Sequence, residues 1–187
     1  SSVAFFADRV ERALLLQGAA LMAADLVVEQ GERIPQSWSD QAAQLGLRRA
    51  RMGSFRSVII ANERPVLVQV MAVEGEYPLR GRLRIDTPAG EVGRAPAAGE
   101  AWLEDRLRSR LGATIGATAI GLGEVRLSAA GIVIDEPDRG GNLFQLAPRL
   151  MVSYSDALAS GLLGPASRVK YRFLVAGDKQ QLRAMRA

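Results

Sequence analysis

The 187-residue chain contains no histidine and no cysteine. Those two absences remove the commonest general base, the commonest transition-metal ligand, the thiol nucleophile and any disulfide. Lysine is nearly missing too: 22 of the 24 basic residues are arginine, and Lys170 and Lys179 are the exceptions. Any serine nucleophile would therefore need one of two lysines as its base, and no G-x-S-x-G elbow is present to present such a serine. Aromatic residues number ten and are scattered. They do not interleave with the arginines as a stacking platform for single-stranded nucleic acid would require. The net charge of +4 is modest and spread along the chain, so no nucleic acid partner is expected.

Long apolar runs are lacking as well. The longest, from Ala13 to Ala24, is interrupted by Gln17 and falls short of the roughly 20 residues that span a bilayer. Asp8, Arg9, Glu11 and Arg12 stand where a secretory signal would be uncharged, so neither a membrane span nor a signal peptide is expected. Ser1 opens the chain in place of methionine, and further sequence upstream is expected.

What is present reads as one well-filled body, since 48% of the residues are apolar. Val3 to Met22 has helix-forming composition with Asp8 and Arg12 spaced to pair. Leu26 to Val28 reads as a strand, and Ser37 is placed to cap a helix from Trp38 to Leu45 that Gly46 would end. Phe55 to Ala61 and Val66 to Val73 predict a hairpin about the turn Asn62 to Pro65. Arg80, Arg82 and Arg84 alternate with Gly81, Leu83 and Ile85, which in an extended segment places three guanidiniums on one face, solvated or turned to an anionic partner such as lipid headgroups. Thr87 to Gly99, rich in glycine, proline and alanine, predicts a loop or lobe boundary. Beyond it come a strand at Glu100 to Glu104 and a helix from Asp105 to Leu111 closed by Gly112. Short strands follow at Ala117 to Ile120, Glu124 to Leu127 and Ala130 to Ile134, then Leu146 to Val152 and Arg168 to Val175 with a helix near Asp156 to Ser160 between them. Asp178 is placed to cap a helix that runs to Ala187. Strands and helices mix without regular alternation, so the fold class is α+β.

Chemistry-bearing motifs are weak. The glycines from Gly112 to Gly123 match neither the Walker pattern nor G-x-G-x-x-G, and tight turns explain them. Asp135, Glu136 and Asp138 offer oxygens to a hard cation, yet their spacing is not that of an EF-hand loop, and Pro137 and Arg139 favour a solvated turn. No cofactor and no metal are expected, and binding, assembly or force transmission is favoured over catalysis.

Three segments, in order, carry a resemblance. The first runs from Ala7-Asp8-Arg9-Val10 to Ala24-Asp25-Leu26-Val27-Val28, and the second is Gly75-Glu76-Tyr77-Pro78-Leu79-Arg80-Gly81. The third comprises Glu136-Pro137-Asp138-Arg139-Gly140-Gly141, Ala147-Pro148-Arg149, Gly161-Leu162, and Ser167 to Arg172 through Ala176-Gly177-Asp178. Together they resemble the MacB-like periplasmic domain of FtsX-like ABC transporter permeases, most closely the YbbP-type subgroup, along almost the whole chain. One departure is Gly116-Ala117, where such domains often carry a Gly-Asp turn. The resemblance implies a two-lobed α+β domain set between two transmembrane helices, with residues 1–90 and 142–187 as a membrane-proximal porter-like lobe and 91–141 as a small β-rich lobe. It also implies a cytoplasmic ATP-binding subunit as partner, a second permease copy or pseudo-symmetric second periplasmic domain, and a lipid, lipoprotein or periplasmic esterase to act upon. Tyr77, Pro78, Leu79 and Arg80, with Asp138, Arg139, Gly140 and Gly141, are the candidate partner contacts. A freestanding soluble binding module is the competing reading.

Overall fold

The computed structural model describes residues 23–137 and 146–185. The N-terminal segment read as a helix, Val3 to Met22, lies outside them. Ten strands hydrogen-bond into one sheet: β1 (Leu26–Gln30), β2 (Arg48–Ala61), β3 (Arg64–Val73), β4 (Arg84–Thr87), β5 (Gly90–Val92), β6 (Glu100–Leu103), β7 (Ala119–Leu122), β8 (Val125–Asp135), β9 (Arg149–Ser153) and β10 (Lys170–Ala176). Among the described residues four short helices accompany them: α1 (Gln36–Gln44), α2 (Asp105–Leu111), α3 (Tyr154–Ala159) and α4 (Lys179–Ala184). The class is α+β, as the sequence predicts.

Strand order is β1-β10-β2-β3-β9-β6-β8-β4-β5, and β7 pairs with both β2 and β8. The path β2-β3-β9-β6-β8-β7 therefore returns to β2 through the single pair Ile60 and Gly121. Most neighbours are antiparallel, whereas β3 with β9 and β6 with β8 are parallel. Alternation along the strands then sends two sets of apolar side chains in opposite directions. One set, with Phe55, Ile59, Val68, Val70, Leu103, Ile120, Leu150 and Phe173, forms the larger core, into which α1 inserts Trp38 and Ala42 and α2 inserts Leu107 and Leu111. The ring of Trp38 meets that of Phe173 edge to face at 5.9 Å. The other set, with Ala50, Met52, Met71, Val73, Trp102, Met151 and Leu174, is roofed by Ala23, Ala24, Tyr77, Leu79, Leu83 and Ile85.

Local sequence explains most of the elements. Asn62 and Glu63 take positive φ of 49° and 61°, so the β2–β3 turn is the two-residue left-handed kind that matches strand twist. Helix α1 ends as a Schellman motif: the Gly46 and Leu47 N–H groups donate to the Ala43 and Ala42 carbonyls at 3.0 and 2.9 Å, with Gly46 at φ 71°. Its start differs from expectation. Pro35, not Ser37, holds the N-cap position, and the Trp38 N–H closes the first turn on the Pro35 carbonyl at 3.1 Å. Proline's fixed φ, here −61°, presets that entry without a side-chain cap. Helix α4 is shorter than predicted, but Asp178 does cap it, in a reciprocal capping box with Gln181.

Three further differences have physical causes. Strand β2 begins at Arg48, well before the apolar run, because Arg48 and Arg51 find carboxylates at Glu76 and Glu74. The predicted loop after Thr87 contains β5, paired back on β4. The predicted arginine face does not form: only Arg84 is in a strand, Arg84 pairs with Glu91 at 2.8 Å, and Arg80 turns to Asp25. Burial of Leu79 and Leu83 sets the path there, not the arginines.

Candidate contact site at the Tyr77–Pro78 turn

Strand β3 ends at Val73, and the chain turns back over the sheet through Glu74, Gly75, Glu76, Tyr77, Pro78 and Leu79. Gly75 has φ 72°, and a Cβ there would lie 2.9 Å from the Arg49 carbonyl oxygen, so the reversal needs glycine. The peptide between Tyr77 and Pro78 is cis. Tyr77 and Leu79 are 3% and 2% exposed and belong to the second core cluster. Their side chains hold the turn down, and what it presents outward is Glu76, half-buried Pro78 and the Arg80 guanidinium. Asp138, Arg139, Gly140 and Gly141, the other candidates, lie outside the described residues.

Arg80 is a tie. Its Nε and Nη2 donate to Asp25 Oδ1 and Oδ2 at 3.0 and 2.8 Å, and its backbone N–H donates to the Ala23 carbonyl at 2.8 Å. Asp25 Oδ2 also accepts the Gly177 N–H at 3.0 Å. Since β1 and β10 are antiparallel neighbours with Leu26 opposite Val175, one carboxylate joins the start of β1, the exit of β10 and the Tyr77 turn. A paired, bidentate guanidinium–carboxylate contact fixes orientation as well as distance.

Beside the turn lies a cleft of about 690 Å³ whose lining includes Arg48, Glu74, Glu76, Pro78, Arg94 and Tyr154. Its charges are matched pairwise. Arg48 donates to Glu76 Oε2 at 2.9 Å and to the Leu79 carbonyl at 3.0 Å. Arg51 grips Glu74 with both its Nε and Nη2, the latter at 3.0 Å, and lies 5.3 Å from the centroid of the Tyr154 ring. The Glu74 hydrogen bond holds the Arg51 guanidinium above its ordinary pKa, and burial pushes the Tyr154 phenol up. Arg94 stacks 5.2 Å from the Trp102 ring centroid and pairs with Glu100 at 2.8 Å; its carbonyl accepts the Trp102 Nε1–H at 3.0 Å. That pairing holds the Glu100 carboxyl below its ordinary value.

The acidic groups of this cleft and the serine that caps α3 already have partners: the glutamates carry arginines, and Ser153 accepts the Asp156 N–H at 3.1 Å. Among the described residues, no group of three or more His, Cys, Asp or Glu side chains is placed to hold a metal ion. Sequence reasoning found the Tyr77 turn and missed its partners: Asp25 and Gly177 are 55 and 152 residues away from their contacts, and no local pattern announces them.

Among the described residues, no helix is long and apolar enough to cross a membrane. No family model matches the chain. A curated relative does: over 175 residues, 94% of this chain, it is 37% identical to an ABC transporter permease of Escherichia coli (strain K12), YbbP, itself described as uncharacterized. The chain spans about a fifth, 21%, of that relative's length. Over nearly its whole length the chain is thus similar to one segment of a YbbP-type ABC transporter permease, the likeness that its Tyr-Pro-Leu turn and C-terminal motifs imply.

Proposed function

We propose that this chain is the extracytoplasmic domain of an ABC transporter permease subunit of the cytoplasmic membrane, acting as a lever rather than as an enzyme. ATP-driven movement of the membrane helices, powered by a cytoplasmic ATP-binding subunit, is passed through it to a hydrophobic or lipid-linked substrate, or to a periplasmic partner such as an esterase. A second permease copy or a pseudo-symmetric second periplasmic domain completes the assembly. The proposal keeps the two-lobe division, with its junction in the tract from Thr87 to Gly99.

The observation that supports this reading best is the Asp25 tie. A lever driven from a membrane needs its two attachments side by side and fastened to the body that moves. Here the entry at Ala23–Asp25 and the exit at Ala176–Gly177 are neighbours, joined through one carboxylate to the Tyr77 turn. Partner contact is then proposed at Glu76, Pro78 and the cleft, with Tyr77 and Leu79 as their anchors and Arg80 as the link to the ends; Asp138, Arg139, Gly140 and Gly141 remain proposed contacts as well.

Topology tests it. Reporter fusions placed at both ends of this segment in the full-length protein are expected to report an extracytoplasmic location with adjoining membrane spans. A cytosolic, unanchored result would overturn the lever and favour a freestanding soluble binding module.

A further inference from the structure

The β2–β3 hairpin has two unlike faces. Ile59, Val68 and Val70 on one side are fully buried, whereas Val58, Ile60 and Leu67 on the other are 53%, 56% and 49% exposed. The exposed three are not scattered. Val58 stands opposite Leu67 and Ile60 opposite Pro65, so they form adjacent cross-strand rows on one face of the hairpin. The Ile60 row continues across Gly121 of β7 to Arg126 of β8. Gly121 has no side chain, so a shallow trough separates Ile60 from Arg126. The next row, further from the turn, pairs Arg56 with Gln69. Arg56 and Arg126 are exposed, and among the described residues neither takes part in an ion pair. Positions 56, 58, 60, 65, 67, 69, 121 and 126, which make up these rows on β2, β3, β7 and β8, include no acidic residue.

We propose that this face docks an apolar-faced, acid-flanked helical segment of a partner protein. The rows from Arg56 to Ile60 extend about 13 Å along the strand, the length of roughly two and a half helical turns. Apolar side chains at i, i+4 and i+7 of a helix lie along one stripe and match the strip, and carboxylates on its flanks meet Arg56 and Arg126. Charge argues against a second copy of this chain, since face-to-face pairing would bring four arginines together with no acid among them. The tip argues against a membrane: the residues that would enter first are Asn62, Glu63 and Arg64, while the apolar residues sit on the flank. The surface lies beyond the roofed part of the sheet, further along the strands from the Tyr77 turn, and does not depend on the transporter reading.

The test is a fluorescence-anisotropy titration of the chain with a labelled synthetic helical peptide carrying leucine at i, i+4 and i+7 and glutamate on both flanks, with backbone amide shifts to locate the contact. Saturable binding is expected, with shifts confined to β2, β3, β7 and the start of β8. The double variant Arg56→Glu/Arg126→Glu, at exposed positions, is expected to weaken binding by at least about tenfold while keeping the parent's circular dichroism and denaturation midpoint. Leu67→Ser serves as an independent second variant with the same expected loss. Equal binding of a lysine-flanked peptide, unchanged affinity of the double variant, or shifts located elsewhere would overturn the proposal. So would no peptide binding together with arginine-dependent binding to phosphatidylglycerol vesicles, which would assign the face to a membrane. Self-association abolished by Leu67→Ser would likewise overturn it in favour of a second copy.

Discussion

Asp25 is where three stretches of the chain meet, and its two oxygens are used unequally. Oδ1 serves Arg80 alone, while Oδ2 serves both Arg80 and the Gly177 N–H. The Arg80 side chain is 44% exposed and Asp25 28%, so solvent screens their attraction and the pair by itself stabilises by less than about 1 kcal/mol. The Gly177 N–H is a backbone donor at a part-buried position, and leaving it unmade costs about 1 kcal/mol more. Asp25→Ala is therefore expected to destabilise by about 1–2 kcal/mol and Arg80→Ala by about half that, read as urea midpoints at unchanged m-value. Equal losses in the two variants would show that the Gly177 contact contributes nothing. At this scale the sequence conceals most of the site. Arg80, Arg82 and Arg84 look like a solvated or lipid-facing stripe, because Asp25, the carboxylate that holds Arg80, arrives from 55 residues away.

At the scale of elements, local chemistry is far more legible. Asp105 to Leu111 followed by glycine gives α2 with the residues predicted, since Gly112 at φ 60° stops it in the left-handed conformation a helix end favours. The β2–β3 hairpin is legible from its β-branched runs and its turn residues, although its first half is hidden by polar composition. Strand β5 was hidden for the opposite reason, being too short and glycine-bounded to show a period, and β8 continues through Ser128 to Ala130, where two strands are predicted, because small residues there still fit the ladder to β6. The hairpin turn also makes a prediction with two signs. Glu63 holds φ 61°, strained for a side-chain-bearing residue, so Glu63→Gly is expected to stabilise by roughly 0.5–1 kcal/mol. Asn62 has positive φ too, but its Nδ2 donates to the Leu111 and Gly112 carbonyls at 3.2 and 2.9 Å, tying the turn to the end of α2. Asn62→Gly relieves the same strain and loses both bonds, and is expected to destabilise by about 1 kcal/mol. Thermal melts of the two variants beside the parent decide it.

For the whole molecule, the absence of histidine sets the pH response. No side chain of this chain has an ordinary pKa between pH 5 and 8, so unfolding free energy is expected to be flat from about pH 6 to 8. On the acid side the sign follows from the arginine pairs. Glu91 and Glu100 are held below their ordinary value of 4.5 by hydrogen bonds from Arg84 and Arg94. A depressed folded pKa contributes stability at pH above the unfolded value and loses it as pH falls through the folded one, so stability is expected to decline below about pH 4.5. Removing the guanidinium in Arg94→Ala returns Glu100 toward its ordinary titration, and urea unfolding at a series of pH values should show a shallower acid slope. A slope identical to the parent's would mean that other carboxyls carry the acid response.

The lever reading makes its own demand on the whole molecule, namely that entry and exit move together. Strands β1 and β10 supply that rigidity: they are paired from Leu26 and Val175 to Gln30 and Tyr171, with Glu29 bonded to Arg172 at 2.8 Å across the ladder. A body that moves as a unit does not need its attachments to separate, so bridging them should cost nothing in function. Because the chain has no cysteine, Glu29→Cys and Arg172→Cys place a thiol pair across the ladder that no other cysteine of this segment can confuse. Closing that pair with a short bifunctional maleimide in the assembled transporter is expected to leave ATP turnover as it is in the uncross-linked double variant. That result would make the sheet edge a handle in the proposed lever, with force passed to the Tyr77 turn through Asp25 without β1 peeling from β10. Loss of turnover on cross-linking, restored with a long flexible linker, would show instead that the strands must part during the cycle, and the domain would then work as a clamp that opens at its base.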